Sequence, residues 1–199
     1  MMQIGDTDAL IVVDVQNDFC PGGALGVPDG DLVVPVVNRL LPLFTHRVFT
    51  RDWHPRGHIS FGDPPEYRDG SWPPHCVQGT PGAHFHPDLD IPLDAIVVTK
   101  GDEPDREAYS GFQAGGVDLA GWLRGRGVKR VFIAGLATDY CVRATALDAV
   151  AAGFSAVLVE DGARGVAPDT TEAALRDMDR AGVARTRSVE LTGSGRQGE

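Results

Sequence analysis

Three observations predict an α/β fold with a mostly parallel sheet. Short apolar runs rich in β-branched residues recur along the chain. Helical patterns with one apolar face alternate with them. Asp14, Lys100 and Cys141 stand at or just past the ends of three of these runs, where open parallel sheets place their ligand sites.

The elements follow in order. Ala9 to Val13 is continuously apolar, as suits a central strand buried on both faces, and it ends at Asp14. Asp31 to Phe44 reads as a helix, with Leu32, Val33, Val36, Val37, Leu40, Leu41 and Phe44 on one side and Asp31 as its cap. Val48 to Thr50 is a second strand, and Ala95 to Thr99 a third that ends at Lys100. Leu119 to Arg126 is a short helix stopped by Gly127. Val131 to Ala134 is the fourth strand. A helix follows, with Val142, Thr145, Ala146, Ala149 and Val150 on one face. Ala156 to Val159 is the fifth strand, Thr170 to Ala181 a helix, and Val183-Ala184 begins a sixth strand. Right-handed crossovers between such strands give three layers, α/β/α, in a single domain over 1–199. The tail, 192–199, is polar and Gly-rich and is expected to be frayed.

Residues 51–94 break this rhythm. They are rich in Pro, Gly, His and aromatic side chains and show no sustained period. Irregular stretches of that length are uncommon in compact domains unless they carry function. The segment is therefore expected to be an excursion from the carboxyl edge of the sheet that helps build a site.

Composition narrows the function classes. The 199 residues suffice for one sizeable core, and the net charge of −10 argues against nucleic acid or an anionic membrane as partner. Three cysteines without framework spacing point to reduced thiols and a cytoplasmic setting rather than a disulfide scaffold. The amino terminus lacks the basic flank and apolar core of a signal peptide, and no apolar run approaches the ~20 residues needed to span a bilayer. A homo-oligomer is left open.

Two constellations carry chemistry. Cys141 lies in the first turn of the helix after strand four. Thr138 or Asp139 is expected to cap that helix, and its unpaired N–H groups should make the thiol more acidic. Singly, Asp14 suits a strand-end turn, Lys100 a solvated surface cation and Cys141 a small packing residue. Together at three adjacent strand ends, an acid, a base and a thiol form an activated nucleophile. The second constellation is Asp52-Trp53-His54 with His58 and His75. Alternate strand residues share a face, so Asp52 and His54 can point to one place, and carboxylate with imidazole suits Zn²⁺, Fe²⁺ or Mn²⁺.

Five stretches in order resemble the nicotinamidases (pyrazinamidases) of the isochorismatase-like cysteine hydrolases. They are Asp14 to Gly23, Arg51 to Pro55, Ser71 to Thr80, Lys100-Gly101 with Tyr109 to Phe112, and Gly135 to Val142. The resemblance implies a Cys141–Asp14–Lys100 triad and one divalent metal ion, zinc first, on Asp52, His54 and His75, with His58 or water as a fourth ligand. It implies a cis peptide between Leu136 and Ala137, with the N–H groups of Ala137 and Cys141 holding an oxyanion. Phe19 and Trp72 would sandwich the substrate, with Leu136, Ala137 and Tyr109 around it. The implied reaction turns nicotinamide into nicotinate and ammonia, as in NAD salvage, with pyrazinamide as a second substrate. A sibling amidohydrolase acting on a carbamoyl or ureido compound and a non-enzymatic binding protein are the alternatives.

Overall fold

A computed structural model describes residues 1–67 and 70–193. Six parallel strands form the main sheet: β2 (Asp8–Val13), β3 (His46–Asp52), β4 (Ile96–Lys100), β5 (Arg130–Leu136), β6 (Ser155–Arg164) and β7 (Ala184–Thr186). Their spatial order is β4-β3-β2-β5-β6-β7. The chain runs outward from β2 to β4, then returns to the other side of β2 and runs outward again. The order therefore reverses between β2 and β5, and a crevice opens beyond their carboxyl ends.

Alternation along β2 divides its side chains between two cores. Leu10 and Val12 pack with Val33, Val37 and Leu40 of helix α1 (Val33–Leu40). Ala9, Ile11 and Val13 pack on the opposite face. Their neighbours there come from helices α2 (Leu119–Gly125), α3 (Arg143–Ala151) and α4 (Pro168–Arg180), through Leu123, Ala146 and Met178. These are the three predicted layers. Every side chain of β2 is buried, as its unbroken apolar run requires.

Several boundaries differ from the sequence reading. The helix expected over 31–44 is α-helical only from Val33 to Leu40, because Pro42 lacks the N–H that would continue it and Leu41–Leu43 tightens into a 3₁₀ turn. Asp31 is not its cap: it sits inside a preceding 3₁₀ turn, Gly30–Leu32. Strand β6 runs five residues past the expected Val159, through a register shift beside Ile133 and Gly135. Its Glu160-Asp161-Gly162 stretch carries no strand signal. A further pair, β1 (Met2–Ile4) and β8 (Leu191–Gly193), joins the two ends of the chain in parallel. Thr192 and Gly193, expected to be frayed, are therefore paired with Gln3 and Ile4. The rest of that tail, 194–199, lies outside the described residues.

The excursion expected from Arg51 begins at Trp53, because Arg51 and Asp52 belong to β3. Among its described residues only a 3₁₀ turn, Pro81–Ala83, is regular. Bridges from His54 to Val77, Phe61 to Trp72 and Gln16 to Phe85 tie it to itself and to the sheet edge.

Candidate active site

Parallel registry brings the strand-end residues together. Val13 of β2 stands beside Thr50 of β3 and Gly135 of β5, and Asp52 stands beside Lys100 of β4. A Cβ on Gly135, whose φ is +119°, would collide with the backbone of Val13. Glycine thus lets β5 close on β2 where their ends meet. Asp14 adopts a left-handed backbone, φ 48°, a conformation uncommon outside glycine and concentrated at functional positions.

Asp14, Lys100 and Cys141 form one buried cluster. Lys100 Nζ lies 2.8 Å from Asp14 Oδ2 and 3.4 Å from Cys141 Sγ, and it also pairs with Asp52. Thr50 donates its hydroxyl to Asp14 Oδ1 at 2.6 Å. Asp14 Oδ2 has the ammonium as ion-pair partner but no aligned donor, so it is the oxygen left open to accept a proton. Burial pushes the Asp14 carboxyl up and Asp52 adds to this, while Lys100 pulls the other way; the result is a carboxylate more basic than usual. Burial alone would discharge Lys100. The two carboxylates and Cys141 reverse that and hold it firmly protonated.

The expectation of an acidic thiol is corrected. Burial raises Cys141 well above the ordinary thiol range, with Lys100 opposing and Asp14 and Asp52 reinforcing the rise. Cys141 lies in a π-helical turn, Thr138–Val142, whose N-terminal position cannot offset the loss of water. Its resting form is the thiol, with a basic carboxylate beside it. The predicted cap is absent as well: neither Thr138 nor Asp139 caps this turn, and Asp139 accepts instead from Val166 before α4 and from Thr170 in its first turn.

Asp52, His54 and His75 form the second cluster, each offering a ligand atom within 4.8 Å of the others. The Nδ1 atoms of His54 and His75 lie 2.8 Å from the carbonyls of Gly101 and Pro73 respectively. A carbonyl only accepts, so both Nδ1 atoms carry the proton and both Nε2 lone pairs are free to ligate. A Cβ on Gly101, φ +63°, would run into the His54 ring. Burial favours neutral His75 and lowers it; at His54 burial acts the same way, but Asp52, Glu107 and the Gly101 carbonyl together outweigh it and raise it. Burial pushes Asp52 up, but Lys100 and the two imidazoles bring it below the usual carboxylate range. One carboxylate with two outward-facing imidazoles fits a divalent ion.

His58 is not one of that triplet but adjoins it, with its ring centroid 4.2 Å from that of His54. Its Nδ1 is 2.6 Å from Ser60 Oγ, its Nε2 is 3.1 Å from the Arg106 carbonyl, and it groups with His54 and Glu107.

One pocket is lined both by Cys141 and Ala137 and by Asp52, His54 and His75; Asp14 and Lys100 are fully buried and do not line it. Phe19, Trp72 and Tyr109 line it, and the Leu136–Ala137 peptide is cis. Leu136 is corrected: its side chain is fully buried in the α1-side core and does not line the pocket. Strand alternation turns it inward while its neighbour Ala137 faces the cavity. Trp72 Nε1 donates to Tyr109 Oη at 3.0 Å, and burial pushes the Tyr109 phenol up to about 12, so it stays neutral.

Some contributors were not read from the sequence. Glu107, Tyr140, Leu25, Val27 and Val166 complete the lining. Gln16 is fully buried and grips Asp52 from both sides: its Nε2 donates to the Asp52 carbonyl and its Oε1 accepts from the Asp52 N–H, each at 2.8 Å. Asp18 accepts the Cys76 N–H at 2.7 Å beside His75. Position next to Asp14 and Cys141 was the available signal for Gln16, Asp18 and Tyr140. None existed for Leu25, Val27, Glu107 or Val166.

Known proteins are similar to this chain over nearly its whole length. The "Nicotinamidase/pyrazinamidase" of Mycobacterium tuberculosis is 47% identical over 92% of this chain and 97% of its own. The crystal structure of a pyrazinamidase of Pyrococcus horikoshii in complex with zinc superposes with a TM-score of 0.82 at 51% identity, covering 91% of this chain and 99% of that one. PnC1 from L. infantum in complex with nicotinate superposes with a TM-score of 0.89 at 38% identity, covering 97% and 99%. Residues 8–190 match the isochorismatase domain, and with the parallel sheet, the buried thiol cluster and these relatives, they establish that the chain belongs to the isochorismatase family.

Proposed function

We propose that this protein is a metal-containing cysteine amidohydrolase that converts nicotinamide to nicotinate and ammonia and also accepts pyrazinamide. The observation that carries this reading is one pocket lined by both Cys141, which is grouped with buried Asp14 and Lys100, and the Asp52–His54–His75 triplet, with Phe19, Trp72 and Tyr109 beside them. Similarity to the nicotinamidase/pyrazinamidase of Mycobacterium tuberculosis supports the substrate.

The residues suit an acyl transfer in two halves. Asp14 Oδ2 takes the Cys141 proton, and the thiolate attacks the carboxamide carbon. The N–H groups of Ala137 and Cys141 hold the oxyanion as it forms. Asp14 returns the proton to the departing nitrogen, ammonia leaves, and a Cys141 thioester remains. Water then gives a proton to Asp14 and attacks the thioester. Collapse releases the acid and returns the proton to sulphur. Lys100 stays charged throughout, steadying the negative charge that passes between Asp14 and Cys141. Phe19 and Trp72 present flat faces for stacking on the ring. A divalent ion on Asp52, His54 and His75, zinc first, would supply a Lewis-acid point for the ring nitrogen. We place the activity in the cytoplasm, in NAD salvage, since three free thiols suit a reducing compartment.

Ammonia release from paired amides tests the reading. Nicotinamide and pyrazinamide are expected to turn over. Benzamide has the same carboxamide but no ring nitrogen, and its kcat/KM should be lower by about 100-fold or more, which corresponds to about 2.8 kcal/mol. Removing metal with a chelator should depress nicotinamide turnover strongly and benzamide turnover much less. Equal rates for benzamide and nicotinamide in metal-loaded protein would contradict the positioning role and favour an amidohydrolase of ureido or carbamoyl compounds.

A further inference from the structure

Asp139 has a use that its place in the sequence does not suggest. It lies two residues before Cys141, is 8% exposed, and points away from its own turn. Its Oδ1 accepts the Val166 N–H at 3.0 Å, and its Oδ2 accepts the Ala167 N–H at 3.3 Å and the Thr170 hydroxyl at 2.6 Å. Ala167 is the N-cap of α4, and Pro168 follows with no N–H to offer. The carboxylate thus supplies from outside the anionic cap that α4 lacks, and charge-assisted bonds of this kind are the strong ones.

Both ends of this tie line the pocket: Ala137, Tyr140 and Cys141 from the turn, and Val166 from the segment before α4. The Cys141 turn is held locally through the Ala137 carbonyl, which accepts from Tyr140 and Val142 at 3.0 and 3.1 Å. Asp139 carries a polar link from this turn to Val166. We propose that Asp139 is a positioning residue that sets the width of the pocket by tying the turn bearing Cys141 to the Val166 wall. It touches no reacting atom. It limits the size of group that can approach the thiol, and so acts on which amides are admitted. The proposal rests on the reading of Cys141 as the nucleophile, but not on the identity of the amide.

Alkylation of Cys141 tests this without any substrate. The full-length protein, Asp139→Asn and Thr170→Val are treated with iodoacetamide and, separately, with N-benzyl iodoacetamide. The rate at Cys141 is followed by peptide mass spectrometry, which separates it from Cys20 and Cys76. The readout is the ratio of the bulky to the small reagent, well below each variant's unfolding temperature. A lower melting temperature alone leaves that ratio unchanged, whereas a looser wall raises it. Losing the charged acceptor should raise the ratio about tenfold in Asp139→Asn, with a smaller rise in Thr170→Val, which loses one bond at an exposed position. An unchanged ratio in folded Asp139→Asn overturns the proposal. If that variant does not fold, an unchanged ratio in Thr170→Val overturns it. Because no amide is present, either result stands apart from whether nicotinamide is hydrolysed.

Discussion

Cys141→Ala is expected to lower nicotinamide turnover by at least about 10⁴-fold, since loss of a nucleophile removes the covalent route as a whole. The fold should survive. Only a sulphur atom is deleted, and Lys100 keeps both carboxylate partners, Asp14 and Asp52. The check is ammonia release alongside thermal unfolding. A variant that melts like the parent yet is inactive supports the assignment. Activity within tenfold of the parent rejects the thioester route, because no other cysteine faces the pocket: Cys20 and Cys76 are buried outside its lining.

Asp14→Asn should be the next most damaging change, lowering turnover by about 10²–10⁴-fold. The amide keeps the shape, and its oxygen can still accept from Thr50. It cannot take the thiol proton, and it removes the negative charge beside Lys100. Stability should change less than activity. Two carboxylates share one ammonium, so Lys100 retains Asp52 and no buried cation is stranded. The substitution also removes one of the two carboxylates that raise Cys141, so the thiol should titrate at lower pH in the variant. A thiol titration unchanged by Asp14→Asn would show that the two groups are not coupled.

These effects were legible in the chain because parallel strands put their ends at one edge. Ala9–Val13, Ala95–Thr99 and Val131–Ala134 were read as neighbouring parallel strands; they share one sheet, but β3 stands between β2 and β4, and the long Lys100 side chain spans that gap to reach Asp14 and Cys141. The metal triplet was half legible. Asp52 and His54 share a face by alternation, but His75 arrives from an irregular loop whose path no periodicity reveals, and only the family resemblance brought it in. The errors at Asp139 and at the Cys141 thiol share one cause, which is partners distant in sequence. Asp139 carries a local capping signal, yet its donors are 27 to 31 residues downstream. The thiol was expected to be acidic from its place in a turn, whereas burial by the surrounding elements decides its behaviour. Leu136 was read with its neighbours as a pocket residue, and the strand turns it into the core. Glu107 and Val166 reach the pocket from segments without a period or motif of their own.

The central claim is that nicotinamide is cleaved through an acyl bond to Cys141. Rapid quenching of the metal-loaded protein with nicotinamide, followed by peptide mass spectrometry, tests it most directly. A nicotinoyl group attached to the Cys141 peptide, formed at least as fast as nicotinate appears and absent in Cys141→Ala, is the result the account predicts. Steady production of nicotinate with no acyl group on Cys141 at any quench time, and undiminished production by Cys141→Ala, would contradict it.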